Sequence, residues 1–273
     1  MTPSVPPPPS PSPPPPGPSS HRLVAPAKLT VSLHVTGVRH DGYHEIEAEM
    51  VTLDLADQLD VDEAGSGLSV VAEPHTRAGQ LGTGPDNLVS RALAACGRSA
   101  AVRLRKQIPL GGGLGGGSAD AAAVLRWAGC DDLDVAARLG ADVPFCLVGG
   151  RALVSGVGER VQPLPFVDQV YLLVLPPLGV NTAAVFSAWD DGHRSEGDNA
   201  LTEAALVVEP RLARWRDALG DLVGRAPTLA GSGSTWFVAV EAATAPEPDS
   251  VVVGAQSAPL VRAHTVPANW QGD

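Results

Sequence analysis

From Leu23 to Val35 the chain is mostly apolar, which predicts a strand interrupted by Pro26-Ala27-Lys28. The polar stretch Gly37 to Gly42 carries an Asp41-Gly42 turn signal and predicts a hairpin or exposed loop. Ile46–Leu55 and Gln58–Val61 predict further strands, and the glycines at 65–67 and 79–84 predict loops. A helix is expected from Asn87 to Cys96, capped near Asp86 and ended by Gly97. Val102 to Ile108 alternates apolar and polar side chains, as a strand with one wet face does. A glycine run at 111–117 leads into an Ala-rich helical stretch, and Asp131–Leu139 predicts a short helix. Further strands are expected at Phe145–Val148, Arg151–Val154, Val161–Leu164 and Val170–Leu175. After a turn at 176–180, helices are predicted from Thr182, over Ala200–Val208 and over Arg211–Leu219, with a polar loop at Asp190–Asp198. The Gly231–Ser234 turn, a strand at Trp236–Val240 and a late strand at Leu260–Thr265 close the pattern. Strands first and mixed elements afterwards give an α+β class.

Composition narrows the picture. Eleven of the 26 prolines lie in the first twenty residues, a stretch too poor in apolar side chains to bury a core, so residues 1–20 predict a disordered Pro-rich tail. The rest of the 273-residue chain suffices for a sizeable core. A net charge of −11 argues against a nucleic-acid partner, because phosphate-backbone affinity comes from clustered Lys and Arg. No run approaches the ~18 apolar residues of a spanning helix, and the start lacks a secretory signal pattern, so no membrane partner is expected. Cys96, Cys130 and Cys146 lack C-x-x-C spacing and fit buried thiols in a reducing compartment. The expectation is an acidic, cytoplasmic globular protein. Of its 19 basic residues, 17 are arginines, and the lysines are Lys28 and Lys106. A lysine retained amid so much arginine points to a need for a compact ammonium.

Six glycines in the seven positions 111–117, followed by Ser118 and a helix, suit a nucleotide phosphate, since a helix N-terminus offers unpaired amides and glycine permits close approach. A Walker A loop is excluded, because no lysine follows a glycine. A dinucleotide fold fails on context: the preceding strand carries Arg103, Arg105 and Lys106. Gly140-Ala141-Asp142-Val143-Pro144 sets a carboxylate in a non-helical corner, with Val143 biased to extended geometry. Paired with a lysine, Asp142 could accept a hydroxyl proton during phosphoryl transfer, although such an aspartate alone is more often a turn cap. Lys28, inside an apolar strand, must be paired or line a cavity unless it sits on an edge. Tyr43 beside His44 could read a nucleobase by stacking and an edge hydrogen bond, or could simply be a hairpin tip.

Taken together, PAKLT, TGVRHDGYHEI, IPLGGGLGGGSADAA, LGADVPF, SGVGERVQPLP and LAGSGSTWFV resemble the GHMP small-molecule kinases, and within them the kinases of 4-diphosphocytidyl-2-C-methyl-D-erythritol. The likeness runs from about Leu23 to Val240. It implies the two-lobed GHMP fold with its active-site cleft between lobes: an ATP-binding domain over 21–168 and a second domain over 169–273. It implies ATP and Mg²⁺ as cofactors, a cytidyl-erythritol small molecule as substrate, and a step of non-mevalonate isoprenoid precursor synthesis. Lys28 and Asp142 match the catalytic pair. Pro109, Gly111, Gly112, Gly113, Gly115, Gly116, Gly117 and Ser118 match the loop over the ATP phosphates, with Ser118 a ligand for Mg²⁺ or phosphate. Lys106 matches a lysine close to the nucleotide, and Asn87 a polar residue on the adenine side. Tyr43 and His44 match the cytosine-binding pair, while Thr182 and Phe186 resemble residues that close the cytidine site, Phe186 on the opposite ring face. Thr30 stands where asparagine is usual in the family; it keeps a hydroxyl and loses reach at the methylerythritol end.

Overall fold

The computed structural model describes residues 20–77, 79, 81–241 and 248–272. The Pro-rich tail expected over residues 1–20 lies outside them except for Ser20, which is paired with Asp62 in the first strand.

Two sheets follow one another along the chain. The first contains β1 (Ser20–Val38), β2 (His44–Asp62), β3 (Gly67–Ala72), β4 (Ala101–Lys106), β5 (Arg151–Gly156) and β6 (Arg160–Leu164). β2 is its hub: β1 runs antiparallel along the whole of it, β5 pairs with its first half and β4 with its last five residues. Helices α1 (Leu88–Ala95), α2 (Gly116–Trp127), α3 (Leu133–Leu139) and α4 (Val143–Val148) accompany this sheet. The second sheet has the order β10 (Ser250–Val253), β11 (Gln256–His264), β7 (Val170–Val174), β9 (Trp236–Val240), β8 (Thr228–Leu229), and carries α5 (Thr182–Asp190), α6 (Thr202–Val208) and α7 (Leu212–Val223). Among the described residues no helix is long and apolar enough to cross a membrane.

Successive strand residues point to opposite faces, and β7 shows the result. Every residue of Val170–Val174 is buried. Val170, Leu172 and Val174 join the large core with Trp215, Leu219 and Trp236. Tyr171 and Leu173 face the other way and meet Leu29 and Val51 of the first sheet, with Phe237 and Ala263 beside them. That smaller cluster joins the sheets back to back and includes Ile108, which precedes the glycine run, and Leu114, the one side chain within it.

Three local outcomes depart from the sequence pattern. The strand expected to break at Pro26-Ala27-Lys28 continues, because a register shift between Pro26 and Lys28 absorbs the missing proline donor. Phe145–Val148 is not a strand but most of α4; Asp142 and Val143, expected to be non-helical and extended, have helical backbone at its cap and first position. Pro144 lies in the first turn, where its absent N–H costs no hydrogen bond, and a short apolar run buried on all sides carries no periodicity to separate helix from strand. Finally, α2 starts at Gly116, so the last glycines of the run form its first turn instead of preceding it.

Candidate active site

The glycine run forms an arch between β4 and α2. Gly111, Gly113 and Gly115 have φ of 63°, 79° and 66°, a conformation that side chains other than glycine rarely adopt. The second sheet braces its start: Ser234 N donates to Gly111 O (3.2 Å) and Thr235 N to Gly112 O (3.1 Å). With these carbonyls engaged, the amides of the α2 first turn remain for an anion, aided by the partial positive charge of the helix end.

Lys28 reaches the arch from β1. Its amide donates to Leu114 O (3.1 Å), and a Cβ placed on Gly115 would come within 2.7 Å of the lysine stem. Its Nζ donates to Thr30 Oγ1 (2.9 Å) and lies 3.4 Å from Asp142 Oδ2. The lysine side chain is 6% exposed and the aspartate 34%. Asp142 occupies the cap position of α4, but its side chain makes no capping bond, so the carboxylate is available to the cavity. The turn-cap reading of this residue therefore fails in its side chain.

Lys106, at the end of β4, is fully buried between Asp57 and Asp120. Its Nζ donates to Asp57 Oδ2 and to Asp120 Oδ2 (2.9 Å), while Asp57 Oδ1 accepts the Gln107 (2.5 Å) and Ile108 (2.9 Å) amides. Burial works against the lysine charge, but Asp120 and Asp57 outweigh it and hold the pKa above the ordinary lysine value. Asp120 is pushed up to about 7, first by burial and then by the Asp57 charge, with Lys106 pulling the other way. One ammonium cannot neutralise two carboxylates in a dry site, and Asp120 Oδ1 has no hydrogen-bond partner.

The far end of the cavity is aromatic. The β1–β2 hairpin turns at Gly42 (φ 85°), with Arg39 N donating to Tyr43 O (2.8 Å). Tyr43 is 65% exposed, whereas His44 tucks under α5. Phe186 stacks on the His44 ring at 4.5 Å and 28°, Trp189 meets it edge-on at 5.5 Å, and His44 Nε2 lies 2.8 Å from Asp190 Oδ1. Thr182 Oγ1 shares a 2.8 Å hydrogen bond with Ser232 Oγ of the Gly231–Ser234 loop.

A single cavity of about 840 Å³ joins these parts. Lys28, Thr30, Tyr43, His44, Lys106, Pro109, the six arch glycines, Ser118, Asp142, Thr182 and Phe186 all line it. Of the residues singled out in the sequence, Asn87 alone is not among the lining groups. Its Oδ1 accepts from Val89 N (2.9 Å) to cap α1, and its Nδ2 donates to Gly82 O (2.8 Å).

Residues 87–150 match the model of the GHMP kinases N terminal domain. A 4-diphosphocytidyl-2-C-methyl-D-erythritol kinase of Paracoccus denitrificans (strain Pd 1222) is 39% identical over 241 residues, covering 79% of this chain and 85% of that protein. The chain belongs to the 4-diphosphocytidyl-2-C-methyl-D-erythritol kinase family. A second relative of that name, from Pelotomaculum thermopropionicum (strain DSM 13744 / JCM 10971 / SI), is 37% identical, covering 78% of this chain and 87% of its own length. A crystal structure of a 4-(cytidine 5'-diphospho)-2C-methyl-D-erythritol kinase superposes with a TM-score of 0.61 at 34% identity, covering 80% of this chain and 89% of that one. A homoserine kinase from Cytophaga hutchinsonii, 20% identical with a TM-score of 0.58 over 81% of this chain and 85% of its own, shares the fold. The architecture is thus the α+β GHMP kinase fold.

Within this member of the 4-diphosphocytidyl-2-C-methyl-D-erythritol kinase family, four residues at or behind the cavity escape a sequence reading. Asp57 and Asp120 sit behind the arch, Asp190 faces His44, and Ser232 meets Thr182. Asp120 interrupts an alanine run, and an acid at a core position is the signal that could have revealed it, whereas Asp57 falls between the strands expected at 46–55 and 58–61, among other polar residues. Asp190 and Ser232 stand in polar stretches where nothing distinguishes them.

Proposed function

We propose that this chain is an ATP-dependent kinase that phosphorylates the 2-hydroxyl of 4-diphosphocytidyl-2-C-methyl-D-erythritol in non-mevalonate isoprenoid precursor synthesis. The observation that carries the reading is the Lys28–Asp142 pair, 3.4 Å apart in the cavity that the glycine arch roofs, in a chain of this family. The α2 first turn receives the ATP phosphates, and Lys106 lies behind the arch close to the nucleotide. Asp142 accepts the substrate hydroxyl proton as that oxygen bonds to the γ-phosphorus, and the bond from phosphorus to the ADP oxygen breaks. Lys28 keeps Asp142 ionised and stabilises the charge on the transferring phosphoryl group. At the aromatic end, Tyr43 and Phe186 offer ring faces to the cytosine, with His44 at its edge and Thr182 closing the cytidine site; Thr30 lines the methylerythritol end.

Mg²⁺ belongs to the same proposal. The described residues contain no cluster of three or more His, Cys, Asp or Glu that could hold a metal by themselves. The donor set near the arch is the Ser118 hydroxyl with the Asp142 carboxylate in the same cavity. This fits an ion that keeps most of its ligands as water and nucleotide phosphate, with Ser118 as the protein ligand. When bound it neutralises phosphate charge.

The division at 168 also belongs to this reading. It is supported by a first sheet whose last strand ends at Leu164 and a second whose first strand begins at Val170. A cytoplasmic location follows from the ATP requirement and the cysteine pattern. The test is ADP release from purified protein supplied with the cytidyl-erythritol substrate, mevalonate, galactose or homoserine. Turnover confined to the first supports the assignment; preference for another alcohol, or ATP binding without transfer to any, overturns it.

A further inference from the structure

Asp190 plays no part in the chemistry above, yet it makes the closest polar contact to the histidine at the aromatic end. Its Oδ1 lies 2.8 Å from His44 Nε2 and joins the end of α5 to the start of β2, 146 residues away in sequence. The histidine side chain is 9% exposed and the aspartate 49%, so the contact stands at the rim of the cavity that both residues line. Phe186 stacked on one face and Trp189 against the edge fix the plane of the ring. Rotation about its axis and the position of its proton are left for a polar partner to decide.

An ionised carboxylate only accepts hydrogen bonds, so the proton of this contact belongs to Nε2. In the neutral imidazole the other nitrogen, Nδ1, is then an acceptor; the partner of one ring nitrogen sets the role of the other. Cytosine presents an exocyclic amine, a donor, where uracil presents a carbonyl, an acceptor. A site that pairs a buried polar group with one of these and leaves it unmatched with the other discriminates strongly.

We propose that Asp190 is a positioning residue that fixes His44 as the Nε2–H tautomer and thereby selects an amino-pyrimidine over an oxo-pyrimidine. The inference rests on the reading that His44 faces the base. It concerns recognition and leaves the phosphoryl transfer at Lys28 and Asp142 untouched.

The test uses the full chain with a non-hydrolysable ATP analogue filling the nucleotide site, and titrates CDP and UDP calorimetrically into wild type, Asp190→Asn and Asp190→Ala. Wild type is expected to bind CDP at least about tenfold more tightly than UDP, a low value for a matched hydrogen-bonding site. Both substitutions should remove most of that ratio, while affinity for the ATP analogue stays within about twofold of wild type. Imidazole ¹⁵N spectra of His44 give a readout that a purely structural role would not move: the Nε2–H pattern in wild type, lost in Asp190→Ala. A wild type that does not discriminate, variants that keep the wild-type ratio, or a His44 ring protonated on Nδ1 in wild type would each overturn the proposal. Because these are equilibrium measurements on the base, they succeed or fail independently of the ADP-release assay.

Discussion

Lys28 and Lys106 press against neighbouring glycines of one arch, yet the regions around them differ in charge balance and in access to the cavity. Lys106 is dry and held by two carboxylates, one of which also takes two backbone amides of the segment entering the arch. Lys28 has one carboxylate at 3.4 Å and one neutral hydroxyl, and its carboxylate partner is one-third exposed. The first arrangement commits two of the three ammonium protons to buried carboxylates and keeps the lysine out of solvent. The second leaves both the ammonium and the carboxylate able to meet an incoming group. The same side chain is therefore an anchor behind the arch and, in the mechanism proposed above, a reactive group in front of it.

The largest effect is expected behind the arch. Lys106→Met leaves two acids buried without their cation, and breaking one side of a buried ion pair typically costs about 3–5 kcal/mol. For a domain of this size that lowers the melting temperature by on the order of 10 °C. Thermal unfolding followed by circular dichroism measures it; an unchanged midpoint would mean that the triad does not hold the fold. The triple variant Lys106→Met, Asp57→Asn, Asp120→Asn removes every charge together and should recover part of the loss, which separates charge imbalance from simple loss of volume.

In front of the arch the fold should survive and turnover should not. Asp142→Asn or Lys28→Ala is expected to lower kcat at least about a hundredfold, the low end for loss of a general base, with the melting temperature close to wild type. Wild-type turnover in either variant removes that residue from the mechanism. If Lys28→Ala destabilises as much as Lys106→Met, the contrast between the two lysines is wrong.

This contrast also explains what was legible in the sequence. The arch, Lys28 and Tyr43 stand out because glycine density, rare lysines and a rare tyrosine are visible one residue at a time, and Asp142 because it stands between a glycine and a proline. The partners of Lys106 are not visible in that way, because pairing Asp57 with Asp120 depends on β2 and α2 meeting through the same sheet. The helix at Val143–Val148 was hidden for a related reason: all but its last residue are buried, so the alternation that separates helix from strand is absent. β3 follows a glycine loop and pairs parallel with β4, whose sequence signal lies 34 residues downstream. Asp190 reads as the start of a polar loop but is the last residue of α5, and element ends are where pattern carries least information.

The charge imbalance behind the arch predicts a pH signature. Asp120 in the folded chain is raised from 3.8 to about 7, so the folded state keeps a proton that the unfolded state has already released through most of that interval. Stability contributed by protonated Asp120 is present below about pH 4 and is lost as pH rises towards about 7. The raised pKa of Lys106 acts elsewhere: its contribution persists below the unfolded lysine value of 10.5 and is lost only above it. Asp120→Asn cannot lose a proton. Its stability relative to wild type should therefore climb by on the order of 3 kcal/mol between pH 4.5 and pH 8, measured by urea unfolding at each pH. A difference that stays flat would show that Asp120 is ionised throughout, with Lys106 sufficient for both acids.

The smallest effect tests what holds Lys28 where it is. Thr30 is buried, and its Oγ1 accepts from Lys28 Nζ at 2.9 Å, so one lone pair of the hydroxyl is committed to the lysine. Gly231 closes over this pair: a Cβ there would sit 3.5 Å from Lys28 Nζ and 3.8 Å from Thr30 Oγ1. Threonine in place of the asparagine usual in the family therefore carries an orienting role that can be separated from its shape. Thr30→Val keeps the volume and removes the acceptor, and should lower kcat about tenfold, the size of one buried hydrogen bond to a charged group, with little change in KM for ATP. Thr30→Ser, which restores the oxygen without the methyl, should recover most of the rate. If valine works as well as threonine, Asp142 alone orients the ammonium, and Lys28 is held as Lys106 is, by carboxylate charge and not by a neutral hydroxyl.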